Sequence, residues 1–201
     1  MQTSARHHMR LVSTSTPSSG QMSEAERVAC ALAGDRKAFR HLYDAHVDAV
    51  AGLCIRMLRN RERGMDAAQE TFATAFQKLA QLTDHTQFGA WCKQIAVNVC
   101  LMAMRKDRWL RFVGWELESP DDVASAGASP TEALHARMDL EKVATVLRAM
   151  PPVQRVAWTL KHVEQESLLQ IATLTGRSVA STKRDIDAAE HEIQRRLGDQ
   201  P

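Results

Sequence analysis

Residues 176–190, GRSVASTKRDIDAAE, place a glycine between two apolar-periodic runs and follow it with hydroxyls and cations at short spacing. Ala172, Gly176 and Thr182 have the spacing of two helices joined by a tight turn. A small residue sits where the helices touch, a glycine where the turn wants positive φ, and a β-branched residue where the second helix packs back. Arg177, Ser178, Ser181, Lys183 and Arg184 then point outward at the start of the second helix. That end of a recognition helix meets base edges and phosphates of duplex DNA. Asp185 comes next along the chain, so it is expected to offset part of the field of Lys183 and Arg184, and Asp185→Arg to tighten duplex binding. The same residues would also suit a plain helical hairpin with a solvated, charged face.

Other chemistries find little support. The chain has no Gly-rich phosphate loop, no metal-ligand spacing and no nucleophile with a base at motif spacing. His41, His46, His85 and His162 are scattered. Cys30, Cys54, Cys92 and Cys100 lie far apart within apolar-periodic segments, without a CxxC pair, and read as buried, reduced thiols. No enzyme, metal or cofactor is expected. No apolar run of about 18 residues could span a bilayer, and MQTSARHHMRLVSTSTPSSG lacks the apolar centre of a signal peptide. A cytoplasmic protein without membrane insertion follows.

The elements that position these residues have the helical period throughout. Ser23 with Glu26 forms a capping box before a short first helix that Gly34 closes. Phe39, Leu42, Tyr43, Val47, Val50, Leu53 and Met57 mark a long second helix. Met65, Ala68, Phe72, Phe76 and Leu79 mark a third, and Phe88, Trp91, Ile95, Val99 and Met102 a fourth, with QLTDHTQ between them. After Ser129, Pro130 and Glu132, a second start signal, come the stripes Leu134, Met138, Val143, Leu147, Met150 and Val153, Val156, Leu160, Val163. Ser167 with Gln170 caps a short helix ending at Gly176, and Ser178 caps the last, whose apolar side is Val179, Thr182, Ile186, Ala189, Ile193 and Leu197. The expected architecture is all-α, two small helical bundles joined by an acidic linker, the C-terminal one carrying a helix-turn-helix. Its divisions are a disordered arm (1–22), a first bundle (23–111), a flexible linker (112–130) and a second bundle (131–198).

Charge follows these divisions. Residues 23–111 carry 14 Lys and Arg against 10 Asp and Glu, residues 112–133 none against 5, and residues 134–201 carry 10 against 9. A basic block can face phosphate, whereas the acidic stretch is repelled by it.

Two motif sets carry a family resemblance. LRAMPPVQRVAWTLKHVEQESLLQIATLTGRSVASTKRDIDAA, from Leu147, resembles the promoter-binding C-terminal domain of the extracytoplasmic-function sigma factors of bacterial RNA polymerase. DAAQETFATAFQKL from Asp66 and FGAWCKQIAVNVCLMAMRK from Phe88 resemble that family's N-terminal domain. Gln170 replaces a glutamate of the pattern and Asp185 an arginine. Both halves stand in the family's order with an acidic linker between them, covering about residues 24–198.

The resemblance implies a sigma factor whose partners are core RNA polymerase and promoter DNA, with an anti-sigma factor as a further partner that such proteins often have. It implies that Asp66, Gln69, Glu70 and Phe72 bind core polymerase, that Asn98 with Arg105, Lys106 and Arg108 binds the −10 element, and that Arg177, Ser178, Ser181, Lys183 and Arg184 bind the −35 element. An unpaired −10 base would be held by edge hydrogen bonds and stacking beside positive charge. The linker would thread toward the active-site and RNA-exit path, or serve as a tether. Two other readings fit the residues: a helix-turn-helix regulator acting without polymerase, and a sigma-like interaction protein without promoter activity.

Overall fold

The structure, a computed structural model, describes residues 22–113 and 142–198. The expected arm, almost all of the linker and the start signal at Ser129 lie outside the described residues.

Local chemistry sets each boundary. Helix α1 (Glu24–Leu32) opens on the capping box: the Ser23 N–H donates to Glu26 Oε2 at 2.7 Å, and the Glu26 N–H donates to Ser23 Oγ at 3.2 Å. Gly34, at φ 94°, turns the chain. Asp35 then caps α2 (Arg36–Leu58), accepting from the Lys37 N–H at 2.8 Å, and Asn60 caps α3 (Arg61–Lys78), accepting from the Arg63 N–H at 2.8 Å. Two 3₁₀ turns, Leu79–Gln81 and His85–Gln87, lead into α4 (Phe88–Phe112). Within the second turn the Thr86 hydroxyl and N–H both donate to Asp84 and hold its carboxyl below the usual range.

Helices α1–α4 enclose one core. Leu42, Cys54, Met57, Phe88, Cys92, Val97 and Cys100 are at most 1% exposed, and the buried Thr71 hydroxyl satisfies itself by donating to the Ala67 carbonyl at 2.7 Å. Helices α2 and α3 meet backbone to backbone at Gly64. A Cβ there would lie 2.5 Å from Ile55 Cγ1 and 2.7 Å from its Cα, so only hydrogen fits.

The C-terminal described segment begins with a helix over residues 142–149 (α5) and continues through α6 (Pro152–His162), α7 (Leu168–Thr175) and α8 (Val179–Gly198). Pro152 occupies the first turn of α6, where its missing N–H costs nothing. Ser167 and Gln170 form the expected capping box on α7, and Gly176, at φ 65°, ends that helix. Thr182 is 1% exposed and donates its hydroxyl to the Ser178 carbonyl at 3.0 Å. Ala189 packs with Val146, Leu147 and Met150 of α5.

These helices do not stand apart from α1–α4. Val156, Leu160, Ile171, Leu174 and Ile186 are continuous with the N-terminal core. Arg155 Nη2 donates to the Met57 carbonyl at 2.5 Å, and Gln94 Nε2 to the Thr173 carbonyl at 3.2 Å. Arg56 pairs with Glu164 through two hydrogen bonds, of 2.5 and 3.0 Å, and Lys93 pairs with Glu166.

Five stripe assignments need correction, Met65 among them at 37% exposed. Phe76 is 52% exposed, Met102 63%, Val163 48% and Val179 42%. Phe76 and Met102 continue a spacing of three and four, but on helices where Ala75 and Leu101 take the inward positions. Val163 lies just past the end of α6, and Val179 is the first residue of α8.

Candidate polymerase and promoter surfaces

Three surfaces carry the residues singled out from the sequence. On α3, Asp66, Gln69 and Glu70 are exposed on one side of the helix. Phe72 is not: it is 4% exposed, edge-on to Tyr43 with ring centroids 4.7 Å apart. As a polymerase contact it is corrected to a supporting core residue. Beside it, between α2 and α3, runs a groove of about 650 Å³ with Phe39, Tyr43 and Phe76 in its walls and Arg36 and Arg40 at its rim. Phe76 meets Phe39 edge-on at 4.7 Å.

On α4, Asn98, Arg105, Lys106 and Arg108 are all exposed. The acid within this run, Asp107, faces the other way. Arg63 Nη2 of α3 donates to its Oδ1 at 2.8 Å and its Oδ2 at 2.6 Å. The outer face therefore keeps its cations while the acid is neutralised at the back. Trp91 is half-buried against the core. Trp109, 62% exposed, and Phe112, 88% exposed, lie beyond it on the outer face. Sequence reading passed over both, although they extend the spacing from Asn98 through Arg105.

On the α7–α8 hairpin, Arg177, Ser178, Lys183 and Arg184 are exposed, Ser181 partly so. Ser178 Oγ accepts from the Ser181 N–H at 3.2 Å, and Arg184 Nη2 donates to Ser181 Oγ at 3.1 Å. Asp185 overturns its expected position. It is 9% exposed, and its Oδ2 lies 2.8 Å from Arg177 Nε. That oxygen accepts no well-aligned hydrogen bond, so charge alone holds the pair. Asp185 thus opposes Arg177 rather than Lys183 and Arg184, and Arg177 is partly engaged inside the protein.

Among the described residues, no group of three His, Cys, Asp or Glu side chains is gathered to hold a metal. Burial, with Glu24 nearby, pushes the Cys92 thiol up to about 12, and Cys54 and Cys100 share a hydrogen bond inside the core. These thiols are packing groups. No helix among the described residues is long and apolar enough to cross a membrane.

The family description "Sigma-70 region 2" matches residues 42–110, from α2 to nearly the end of α4. The extracytoplasmic-function RNA polymerase sigma factor SigW of Bacillus subtilis is 24% identical over 172 residues, which are 83% of this chain and 92% of SigW. The RNA polymerase sigma-H factor of Pseudomonas aeruginosa is 26% identical over 178 residues, 82% of this chain and 88% of that protein. The sigma factor RpoE from Bartonella quintana, solved in complex with the anti-sigma factor NepR, has the same fold, with a TM-score of 0.60 at 21% identity, over 82% of this chain and 99% of RpoE.

Over α2–α4 the chain matches Sigma-70 region 2, and the RNA polymerase sigma factors it is similar to align across both of its halves.

Proposed function

We propose that this sigma factor binds core RNA polymerase through the outer face of α3, at Asp66, Gln69 and Glu70, and directs promoter recognition and melting through α4 and the α7–α8 hairpin. The match of region 2 to residues 42–110 carries this reading, because it falls on the exposed polar face of α3 and the basic face of α4. Asn98, Arg105, Lys106 and Arg108 would hold the −10 element, with the cations on the backbone and Asn98 on a base edge. Ser178, Ser181, Lys183 and Arg184 would hold the −35 element, with Arg177 contributing only the part of its charge that Asp185 leaves free.

Sigma factors are not enzymes, and no catalytic role is assigned to any residue. An anti-sigma partner is part of the proposal, supported by the Bartonella quintana relative having been solved with one. Its place of action is the cytoplasm, where polymerase is.

Run-off transcription tests the reading. Core polymerase mixed with the full chain should initiate from DNA upstream of the chain's own coding sequence, and Asp66→Lys with Gln69→Lys should abolish polymerase pull-down while helicity is kept. A chain that binds this DNA yet gives no transcript with core polymerase would be a regulator of another kind.

A further inference from the structure

Asp185 stands on the inward side of α8 with Thr182, Ile186 and Ala189, which are 1%, 6% and 0% exposed. A carboxylate is a costly choice there, because its desolvation must be offset by a well-placed cation. That cation is Arg177, whose Nε lies 2.8 Å from Asp185 Oδ2. The arginine is thereby held at both ends. Its backbone N–H donates to the Ala172 carbonyl at 3.0 Å, in the turn that Gly176 makes at φ 65°. Its side chain is pinned at Nε, and no other group among the described residues pairs with its two Nη atoms. With Nε taken and 40% of the side chain exposed, the fork formed by the two Nη groups is what remains to bind. Arg184 is tethered nearby in a similar way: its Nη2 donates to Ser181 Oγ at 3.1 Å, and that oxygen also accepts from Ser178 Oγ at 2.9 Å.

We propose that Asp185 is a positioning residue for DNA binding: it fixes the Arg177 guanidinium so that both Nη groups are presented to one backbone phosphate of a duplex. The inference rests on the reading of the α7–α8 hairpin as a duplex-binding surface, and adds how one of its cations is aimed. A guanidinium binds phosphate most strongly through two parallel N–H bonds, which requires the fork to face the phosphate squarely. An untethered arginine gives up side-chain freedom to reach that geometry. Arg177 has surrendered much of that freedom before DNA arrives. Its place suits the task as well, since it directly precedes Ser178, whose Oγ accepts from the Ser181 N–H in the first turn of α8. Charge alone makes the opposite forecast. An acid beside a DNA-facing cation lowers the local positive potential, so its removal should tighten binding, whereas removal of a positioning acid should weaken it.

The test uses the full chain and a fluorescein-labelled duplex from upstream of its own coding sequence, with anisotropy read at several salt concentrations. Arg177→Ala should weaken duplex binding about tenfold and lower the salt slope by about 0.9, as expected for one lost phosphate contact. Arg177→Lys should recover little of the affinity, because an ammonium lacks the fork. Asp185→Asn keeps the shape of the side chain and should weaken binding about fivefold with the salt slope unchanged, since the contact survives and only its preorganisation is lost. In the Arg177→Ala background the same change should have no further effect, whereas an acid with a merely structural role would cost affinity with or without Arg177. Tighter or unchanged binding by Asp185→Asn overturns the proposal, as does a loss that persists without Arg177. Should Asp185→Asn fail to fold, Arg177 decides: wild-type affinity in Arg177→Ala or Arg177→Lys overturns the proposal. Lys183→Ala with Arg184→Ala separates the two readings. Unchanged duplex binding in that variant, or none by the wild type, sinks the hairpin reading and the proposal with it. A loss there beside an unaffected Asp185→Asn sinks the positioning role alone.

Discussion

Phe72 and Asp185 are two residues whose types suggest one role and whose surroundings impose another. Phe72 lies in the motif proposed above to bind polymerase, yet its ring is packed on Tyr43. Phe72→Ala should cost about 3–5 kcal/mol by leaving a cavity, and urea denaturation should show that loss in the free protein. A variant of unchanged stability that no longer pulls down polymerase would return Phe72 to the surface contacts. Asp185 reads, from its neighbours Lys183 and Arg184, as a surface acid that weakens DNA binding. Its burial against Arg177 reverses the expectation for Asp185→Arg. That variant sets two cations together in a largely buried place and should lose about 2 kcal/mol of stability, discounted for the partial exposure of Arg177, rather than gain affinity. Thermal unfolding of the variant measures this directly. Neither environment was legible in the sequence, since facing direction depends on which neighbour fills the space, and spacing alone does not say.

Helices were the most legible feature, because capping boxes and turn glycines are local chemistry: Ser23 with Glu26, Ser167 with Gln170, and Gly176 all act where their types predict. The inward face of each helix was less so. On α4 the apolar residues continue past the core, and Met102 was assigned inward by a spacing that in fact carries the outer stripe. The α2–α3 crossing shows the limit from the other side. Gly64 is unremarkable in sequence and decisive in the structure. Gly64→Ala gains about 1 kcal/mol in helix propensity but places a methyl group against Ile55 backbone, which cannot rotate away. Overpacking costs typically 1–3 kcal/mol, so a net loss of up to about 2 kcal/mol is expected in denaturant titration. A more stable variant would mean that the two helices can part at this point.

At the scale of the whole molecule, the contacts that join α5–α8 to α1–α4 link residues as far as 108 positions apart, beyond the reach of any periodicity. Two of them are ion pairs, Arg56 with Glu164 and Lys93 with Glu166, and both carboxylates come from the short segment between α6 and α7. Glu164→Lys with Glu166→Lys should loosen that packing and raise the radius of gyration in small-angle scattering. Raised salt should move the wild type part of the way in the same direction, since partly exposed pairs are screened. A radius unchanged in the double variant would leave the shared apolar core as the whole of the attachment.

The same junction bears on dosage. Elements centred at −10 and −35 are separated by about 85 Å of duplex at 3.4 Å per base pair, while α4, the longest helix, extends only about 37 Å. On the function proposed above, α4 and the α7–α8 hairpin, joined through one apolar core, would have to part to reach both elements at once. Engagement of both must draw on whatever fraction of molecules has come open, and apparent affinity falls by that fraction. If one molecule in about a hundred is open, roughly a hundredfold more protein is needed for half-occupancy of polymerase. The two carboxylates of Glu164 and Glu166 would then help set how much of this protein a cell must accumulate before its promoters fire.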